Sequence, residues 1–458
     1  MKIRLIKDKS FYLSVLGIML PVVAQLSINM GVNMMDTIML GQLGEIQISA
    51  SSLANSFYNN CNIFCMGLAG GTSVIASHYW GAKEEEKTKQ VFSMAFQISA
   101  IMSIFFAVIT WLFPGQIMRI YTPDPAVIEA GVRYLKITSF IYFFHGTGLV
   151  IALLMRTIGQ QRLGLYVSII SFGVNCFSNW VFIFGHFGAP RMEIAGAALG
   201  TLISRVVEFI VTFYFVFKID NKLCMKVKDF FAKTEKEVVN NYLKVGIPVL
   251  ISDGLLGFGS TGLSMVLGRM GRDVVAANSI CMVIDRLVTI VVTGVSQASG
   301  IVVGHTIGEG NKERAQMEGE TFLILGIAFG LINAVLISVV GPLTERFYEI
   351  TEETARITTE MIYAFSFIVF FQAIQSIMTK GVLRGGGDTK FLMKADILFL
   401  WITSIPLGVL VGLVLGWPAW ITQIALRADY IIKSVWCISR LTSGKWIHDL
   451  SQKNRMKA

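Results

Sequence analysis

Twelve long apolar runs constrain the fold of this 458-residue chain more than any other feature. A run of about 20 apolar residues crosses the hydrocarbon core of a bilayer, about 30 Å thick, as a helix. Membrane strands are disfavoured because the alternating polarity of a lipid-facing barrel strand is absent. We therefore predict an all-α integral membrane protein with twelve transmembrane helices, at about residues 13–36, 51–77, 91–113, 134–155, 163–186, 195–217, 243–267, 275–304, 320–342, 358–380, 392–415 and 419–440.

Composition agrees with a membrane protein and indicates its orientation. Hydrophobic residues make up 54% of the chain and charged residues 15%, whereas a soluble domain carries about 25% charged residues. With the N-terminus placed in the cytoplasm, most of the 39 lysine and arginine residues fall on the inner side, including those from Lys433 to Lys457. The positive-inside rule then predicts that both termini are cytoplasmic. The net charge of +9 reflects this bias toward the inner leaflet of the lipid bilayer and predicts no nucleic acid partner.

The second half of the chain repeats the first at an offset of 227 or 228 residues. Leu-Pro-Val at residues 20–22 returns as Ile-Pro-Val at 247–249, and residues 75–81 return as 302–308. Duplicated membrane units work as two halves around a shared site. Because six spans per half is an even number, both halves begin on the same side of the membrane. We therefore predict two parallel six-helix repeats.

The repeat divides the chain into three parts. We predict an N-lobe at residues 1–220, a cytoplasmic linker rich in Lys, Asp and Glu at 221–241, and a C-lobe with a basic cytoplasmic tail at 242–458.

No soluble domain remains and no Walker-type loop occurs, which argues against an ATP-driven pump. The glycine run at 385–387 predicts a helix end rather than a phosphate cradle, because it follows a span and not a strand. The six cysteines show no zinc-ligand spacing, so we predict no metal centre of that kind.

Four motifs resemble those of a known transporter family. They are residues 36–44 at the end of span one, Gly81-Ala82 after span two, residues 196–201 at the start of span six and residues 383–389 after span ten. In this order and spacing they resemble the multidrug and toxic compound extrusion (MATE) family. The resemblance implies a V-shaped pair of six-helix bundles, acting as a monomer in the cytoplasmic membrane of a prokaryote. It also implies cation-coupled antiport of small organic compounds, with H⁺ or Na⁺ as the coupling ion and no cofactor.

The first half contains the main candidate site for that ion. Asp36 lies near the outer end of an apolar span, and an ionisable residue retained in a membrane is a functional hypothesis by default. Asn175 and Asn179 are four residues apart in span five and therefore share one helical face. Their amides can hold a carboxyl group in either protonation state. An interfacial carboxylate and simple interhelical hydrogen bonds remain the alternatives for these residues.

The resemblance extends this cluster and assigns it a role. It adds Thr201 of span six, and it implies that Asp36 is the protonation or cation site. With one acid rather than two, the cluster suits a proton better than a caged sodium ion.

The second half supplies secondary candidates for cation or proton binding. They are the polar and charged residues of spans seven, eight and ten: Asp253, Asp285, Arg286, Gln372 and Gln375. Some relatives bind their cation through acids in this half, but span ten has no acid near its middle here, which argues against a sodium site of that type. Asp253 and Arg286 form a candidate ion pair between two helices, as the alternative to a binding site.

Other polar residues in the spans have structural interpretations. Arg205 and Glu208, at positions i and i+3 of span six, are predicted to form an ion pair within that helix. A single polar contact explains His145 in span four more readily than a proton relay does. His78 and His305 occupy equivalent helix ends, which the packing of a duplicated unit explains.

These features favour a transporter over other classes of membrane protein. We predict a cation-coupled antiporter, driven by protons rather than sodium, that exports cationic or amphipathic organic compounds by alternating access. No His, Cys or Ser cluster has catalytic spacing at one depth, so we predict no enzyme activity. The alternative is a flippase for lipid-linked oligosaccharides, whose cleft has to be strongly basic to hold a pyrophosphate. Only Arg205, Arg286 and Arg427 lie well inside the predicted spans, which disfavours that alternative.

Overall fold

The computed structural model describes residues 4–344 and 351–451, and no strand occurs within those ranges. The α-helices are α1 (Lys9–Gly41), α2 (Glu45–Gly81), α3 (Glu85–Leu112), α4 (Pro114–Tyr121), α5 (Pro125–Thr138), α6 (Ile141–Met155), α7 (Arg162–Phe184), α8 (Ile194–Tyr214), α9 (Lys236–Asn241), α10 (Ile247–Gly268), α11 (Arg272–Gly308), α12 (Lys312–Thr344), α13 (Glu352–Ser376), α14 (Thr389–Asp396), α15 (Ile405–Val409), α16 (Ala419–Leu426) and α17 (Ala428–Thr442). Wider π-helical stretches connect or extend several of them, at Phe215–Ile219, Tyr242–Gly246, Ile377–Leu383, Ile397–Ser404 and Leu410–Val414.

Each of the twelve predicted spans coincides with one of these helices or with consecutive ones, and the all-α membrane fold is confirmed. Ten helical stretches among the described residues are long and apolar enough to cross a membrane. The second predicted span corresponds to α2, which is long but rich in serine and asparagine. The twelfth is interrupted at Arg427, so that α16 has 8 residues and α17 has 15.

Two of the π-helical stretches have an identifiable cause. Tyr242–Gly246 precedes Pro248, and Ile397–Ser404 precedes Pro406. A proline removes one backbone hydrogen bond and clashes with the carbonyl group four residues earlier, which in both cases lies inside the π-helical stretch. The wider turn accommodates the proline ring while the helix continues, a local adjustment that a transmembrane helix tolerates.

The helices form two compact units. The N-unit consists of Leu20–Ala76 and Glu85–Asn240. The C-unit consists of the described residues from Asn241 onward, together with Ser77–Glu84 and the described residues up to Met19. Each unit therefore holds most of one sequence repeat. The lobe limits at residues 220 and 242 stay a prediction, since this division places the linker with the N-unit.

The polar linker contains one apolar anchor. It forms a single short 3₁₀ helix at Val227–Phe231. Phe230 is buried, with its ring centroid 5.0 Å from that of Phe96 and 5.5 Å from that of Phe213. The Gln97 amide donates a hydrogen bond to the Phe230 carbonyl oxygen at 3.1 Å. This segment is thus packed into the N-unit despite its charged composition.

Within the C-unit, the ends of α2 and α11 cross through a pair of equivalent glycines. A Cβ atom at Gly81 would lie 2.2 Å from the backbone oxygen of His305, and one at Gly308 would lie 2.1 Å from that of His78. Small residues permit such close backbone approach between membrane helices. The His78 ring is buried here, with Nε2 2.7 Å from the Gly385 carbonyl oxygen. The packing interpretation of His78 therefore agrees with its surroundings.

The glycine run after Ile377–Leu383 ends that helical stretch and precedes a charged anchor. Gly387 has a φ of 81°, the left-handed conformation common at helix ends, as the sequence predicted. The Arg440 Nε atom donates a hydrogen bond to Asp388 Oδ2 at 2.6 Å, and His448 Nε2 lies 3.5 Å from Oδ1. Burial raises the pKa of Asp388, but hydrogen bonds from His448 and Arg440 outweigh it and hold the pKa below its usual value. These contacts hold the C-terminal segment against the C-unit.

The glycine crossing gives a prediction about stability. Gly308→Ala places a methyl group against the His78 backbone, which cannot move aside as a flexible side chain would. Overpacking of this kind lowers the free energy of unfolding by about 1–3 kcal/mol. We expect a lower thermal unfolding temperature for the purified variant. Gly173→Ala is the control, because Gly173 lies inside α7 with no neighbouring atom within 4 Å of a Cβ. Equal unfolding temperatures for the wild type and Gly308→Ala would contradict the prediction.

Candidate functional site

Asp36, near the end of α1, lies within hydrogen-bond distance of α7. The Asn179 NH₂ group donates to Asp36 Oδ1 at 2.6 Å and to Asn175 Oδ1 at 3.2 Å. Both asparagines are buried, whereas Asp36 is half-buried. The helical face that the spacing of the two amides predicts is therefore the face that meets the acid. The structure brings together three of the four residues predicted for the first-half site.

Helix α8 lies close to the Asn179 side chain at Gly200. Gly200 has no side chain, and a Cβ atom there would lie 2.3 Å from Asn179 Oδ1. This buried oxygen has no hydrogen-bond partner among the described residues. The Thr201 hydroxyl donates to the Ala197 carbonyl oxygen of its own helix, at 2.9 Å. A role for Thr201 in the cluster stays a prediction.

The arrangement suits a carboxyl group that changes its protonation state. An ionised Asp36 accepts the hydrogen bond that Asn179 donates in the structure. Rotation of the amide about its last torsion exchanges its oxygen and nitrogen atoms, so the same side chain can accept a hydrogen bond from a carboxylic acid. The cluster can therefore satisfy Asp36 in both forms.

A second polar cluster lies in the N-unit around Glu208. Arg205 Nη1 donates to both carboxylate oxygens of Glu208, at 2.8 and 2.7 Å, so the predicted ion pair within the helix is present. His145 Nδ1 lies 3.7 Å from Glu208 Oε2, and its Nε2 lies 3.4 Å from Asn62 Oδ1. A carboxylate whose two oxygens both accept hydrogen bonds from an arginine is electrostatically compensated. This geometry favours the structural interpretation of these residues.

In the C-unit, two of the five secondary candidates meet. Gln372 Nε2 donates a hydrogen bond to Asp285 Oδ1 at 3.1 Å. Gln375, almost one turn later in α13, donates to Thr379 at 3.0 Å and is separate from that pair. Arg286 follows Asp285 in sequence, and its side chain is exposed. Only Asp285 and Gln372 therefore form a common site.

Asp253 pairs with Arg384, and the predicted pairing with Arg286 is wrong. Arg384 Nη2 lies 2.6 Å from Asp253 Oδ1, and Nη1 lies 3.1 Å from Oδ2, a bidentate geometry. By sequence, Arg384 follows span ten, but Ile377–Leu383 prolongs the helix and brings the guanidinium group to α10. A prediction from span length alone therefore ends the helix before Arg384 and misses this residue as the partner of Asp253.

Lys433, counted by sequence among the basic residues of the inner side, lies inside the helix that forms the end of the twelfth predicted span. It is fully buried in α17, with Nζ 2.7 Å from Asp396 Oδ1 and 3.0 Å from Asp429 Oδ2. The Ser252 hydroxyl also forms a hydrogen bond with Asp396. The i, i+4 spacing of Asp429 and Lys433 inside a predicted span is the signal that identifies this pair. A buried lysine needs such partners, because an isolated charge in an apolar environment is very costly.

Comparison with known proteins identifies the family. A family model described as MatE matches residues 21–181 and 248–410, which begin at the equivalent prolines of the two repeats. The chain is 26% identical to the multidrug resistance protein NorM of Burkholderia vietnamiensis, with 84% of each chain covered. It is 24% identical to the uncharacterized transporter YisQ of Bacillus subtilis, with 96% of each covered.

Solved structures share the fold. An outward-facing multidrug resistance MATE family transporter of the MOP superfamily superposes with a TM-score of 0.84 at 18% identity, covering 94% of this chain and 96% of that one. A MOP superfamily transporter from Pyrococcus furiosus gives 0.83 at 19% identity, with the same coverage. The match of the family model to both repeats, over more than half of the sequence, shows that the chain belongs to the multidrug and toxic compound extrusion (MATE) family of membrane transporters.

Proposed function

We propose that this protein exports cationic or amphipathic organic compounds in exchange for protons, by alternating access. The observation that carries the proposal is the hydrogen bond between Asp36 and Asn179, which places an ionisable group against buried amides in a member of a transporter family. Relatives named as multidrug resistance proteins support small organic substrates. We also propose a monomer in the cytoplasmic membrane of a prokaryote, with both termini cytoplasmic, because the basic residues are biased toward one side.

A proton fits the Asp36 cluster better than a sodium ion. A metal cation requires several oxygen ligands, with charge supplied by carboxylates. In the structure the Asn179 NH₂ group donates to Asp36 Oδ1 and Asn175 Oδ1, which leaves Asn179 Oδ1 as an amide oxygen without a partner in the described part of the chain. Asp36 is the single acid of the cluster, and no group of three His, Cys, Asp or Glu side chains that could hold a metal ion occurs in the described ranges. One proton neutralises one acid without further ligands.

Protonation changes the strength of the connection between α1 and α7. A hydrogen bond to a charged group contributes about 1.5–3 kcal/mol and one between neutral groups about 0.5–1.5 kcal/mol. This difference favours one arrangement of α1 when Asp36 is ionised and another when it is neutral, provided that the substrate favours only one of them. Pro21 lies inside α1 and removes one of its backbone hydrogen bonds, which supplies a point where the helix can bend.

We propose Asp285 with Gln372 as the secondary proton or cation site. Their contact has the same chemistry as the contact between Asp36 and Asn179, an amide donating to a half-buried acid. Asp253 has a structural role in this scheme because a bidentate arginine compensates its charge. Sodium, the alternative coupling ion, has candidate sites both here and in the Asp36 cluster.

Asp36→Asn tests the main site. The substitution keeps a hydrogen-bonding side chain but removes the ionisable group, so we expect a folded protein whose proton-driven transport falls to the level of protein-free vesicles. Uptake of the fluorescent cation ethidium into proteoliposomes under an imposed pH gradient measures this. Asp124→Asn is the matched control, because Asp124 is exposed and caps α5, which asparagine also does. Full transport by Asp36→Asn would exclude Asp36 as the coupling site.

Separate ion gradients test the identity of the coupling ion. In the same vesicles, we expect a proton gradient to drive ethidium uptake and a sodium gradient at equal pH to give only background uptake. The physical reason is that the Asp36 cluster contains a single acid, whereas a metal cation requires several oxygen ligands with charge supplied by carboxylates. Uptake driven by sodium alone would reverse the assignment of the coupling ion and direct attention to Asp285.

A further inference from the structure

A cavity of about 240 Å³ lies within the C-unit. It is bounded by α10, α11, α13, α16 and α17 and by two of the π-helical stretches. Its apolar wall consists of leucine and methionine side chains: Leu256, Leu263, Leu267, Met282, Leu400 and Leu426. Pockets that enclose a whole drug-sized ligand measure roughly 300–1,000 Å³, so this cavity has room for one end of such a compound.

The wall of the cavity carries two cationic side chains and one acid, Lys380, Arg427 and Asp429. The acid already has an ionic partner, because Lys433 Nζ lies 3.0 Å from Asp429 Oδ2. Lys433 is fully buried and also lies 2.7 Å from Asp396. The only carboxylate of the wall is therefore already in an ion pair with a lysine outside the cavity, which it shares with Asp396.

Neither cation of the wall has a carboxylate at close range. Within residues 4–344 and 351–451, no carboxylate oxygen lies within 4.0 Å of Lys380 or Arg427. Arg427 donates a hydrogen bond to the Tyr430 hydroxyl at 3.1 Å and lies 5.6 Å from the centroid of that ring. Lys380 is exposed to the cavity. The neighbouring acid Asp253 is already held by a bidentate arginine.

A buried amide adds an unused polar atom to the same wall. Gln423 lines the cavity and is 2% exposed, and its Oε1 atom has no hydrogen-bond partner in the described part of the chain. A buried polar group without a partner is uncommon in native proteins and suggests a missing ligand or water. Rotation of the amide presents either its oxygen or its NH₂ group to that ligand.

We infer that this cavity binds the carboxylate end of an amphipathic organic acid or zwitterion, with Lys380 and Arg427 as its ionic partners. Hydrogen bonds from ammonium and guanidinium groups to a carboxylate are among the strongest in proteins. The leucine and methionine side chains of the wall contact the apolar part of the compound next to the carboxylate. The inference rests on the proposed export function and extends its substrates to compounds that carry a negative charge.

Binding of naphthalene-1-acetate tests the inference. The full chain is purified into nanodiscs of phosphatidylcholine alone, so that no anionic lipid headgroup competes for the cavity. Naphthalene-1-acetamide has nearly the same shape without the charge and is the matched ligand. We expect the wild type to bind the acid at least about tenfold more tightly than the amide, because charge-assisted hydrogen bonds are stronger than neutral ones.

Variants of Lys380 locate the binding. Lys380→Met should weaken acid binding about tenfold and leave amide binding unchanged, whereas Lys380→Arg should keep the preference for the acid. Lys390→Met is the control, because Lys390 is exposed on α14 and does not line the cavity. Equal weakening by Lys380→Met and Lys390→Met would overturn the assignment of Lys380.

Equal binding of acid and amide by the wild type would overturn the inference without relying on any variant to fold. The proposed function fails in a different way, through the absence of ethidium uptake under a proton gradient. Ethidium uptake without acid-selective binding therefore rejects the inference alone, and acid-selective binding supports the site whatever the ethidium result.

Discussion

Lipid offers no hydrogen-bond partner to a peptide group. The backbone N–H and C=O groups of the spans therefore pair with one another within helices. The departures from regular helix show the same constraint. Pro248 and Pro406 each remove a backbone hydrogen bond, and a π-helical stretch precedes each of them where a soluble protein would often end the helix. The extended helix through Ile377–Leu383 has a further consequence, because it brings Arg384 to Asp253.

An uncompensated charge is also costly in lipid, and several charged residues of the spans have partners that reduce this free-energy cost. Lys433 lies between two aspartates, Asp253 holds a bidentate arginine, and Asp36 accepts a hydrogen bond from an amide. The two repeats differ here. Gly81 and Gly308 preserve the crossing of the duplicated helices, but the position equivalent to Asp36 in the second repeat is Leu263, which lines the apolar wall of the cavity.

Features that depend on neighbours along one helix were predictable from the sequence. The spans follow from hydropathy, the shared face of Asn175 and Asn179 follows from their i, i+4 spacing, and the Arg205–Glu208 pair follows from i, i+3 spacing. The contact of Asp36 with Asn179 was predicted as well, but only because both stood out as polar residues in apolar spans. The pairing of Asp253 was predicted wrongly, because its partner lies 131 residues away and several arginines were available.

The sequence by itself determined that the chain is a duplicated, all-helical membrane protein with an acid and two amides in its first half, because hydropathy and helical periodicity are local properties. Only the tertiary structure decided which groups neutralise one another. Lys433 counts among the basic residues of the inner side by sequence and is buried between Asp396 and Asp429. Lys380 and Arg427 line a cavity in which, among the described residues, neither has a carboxylate oxygen within 4.0 Å. The partner of a buried charge depends on which helices adjoin, and distance along the chain does not specify that.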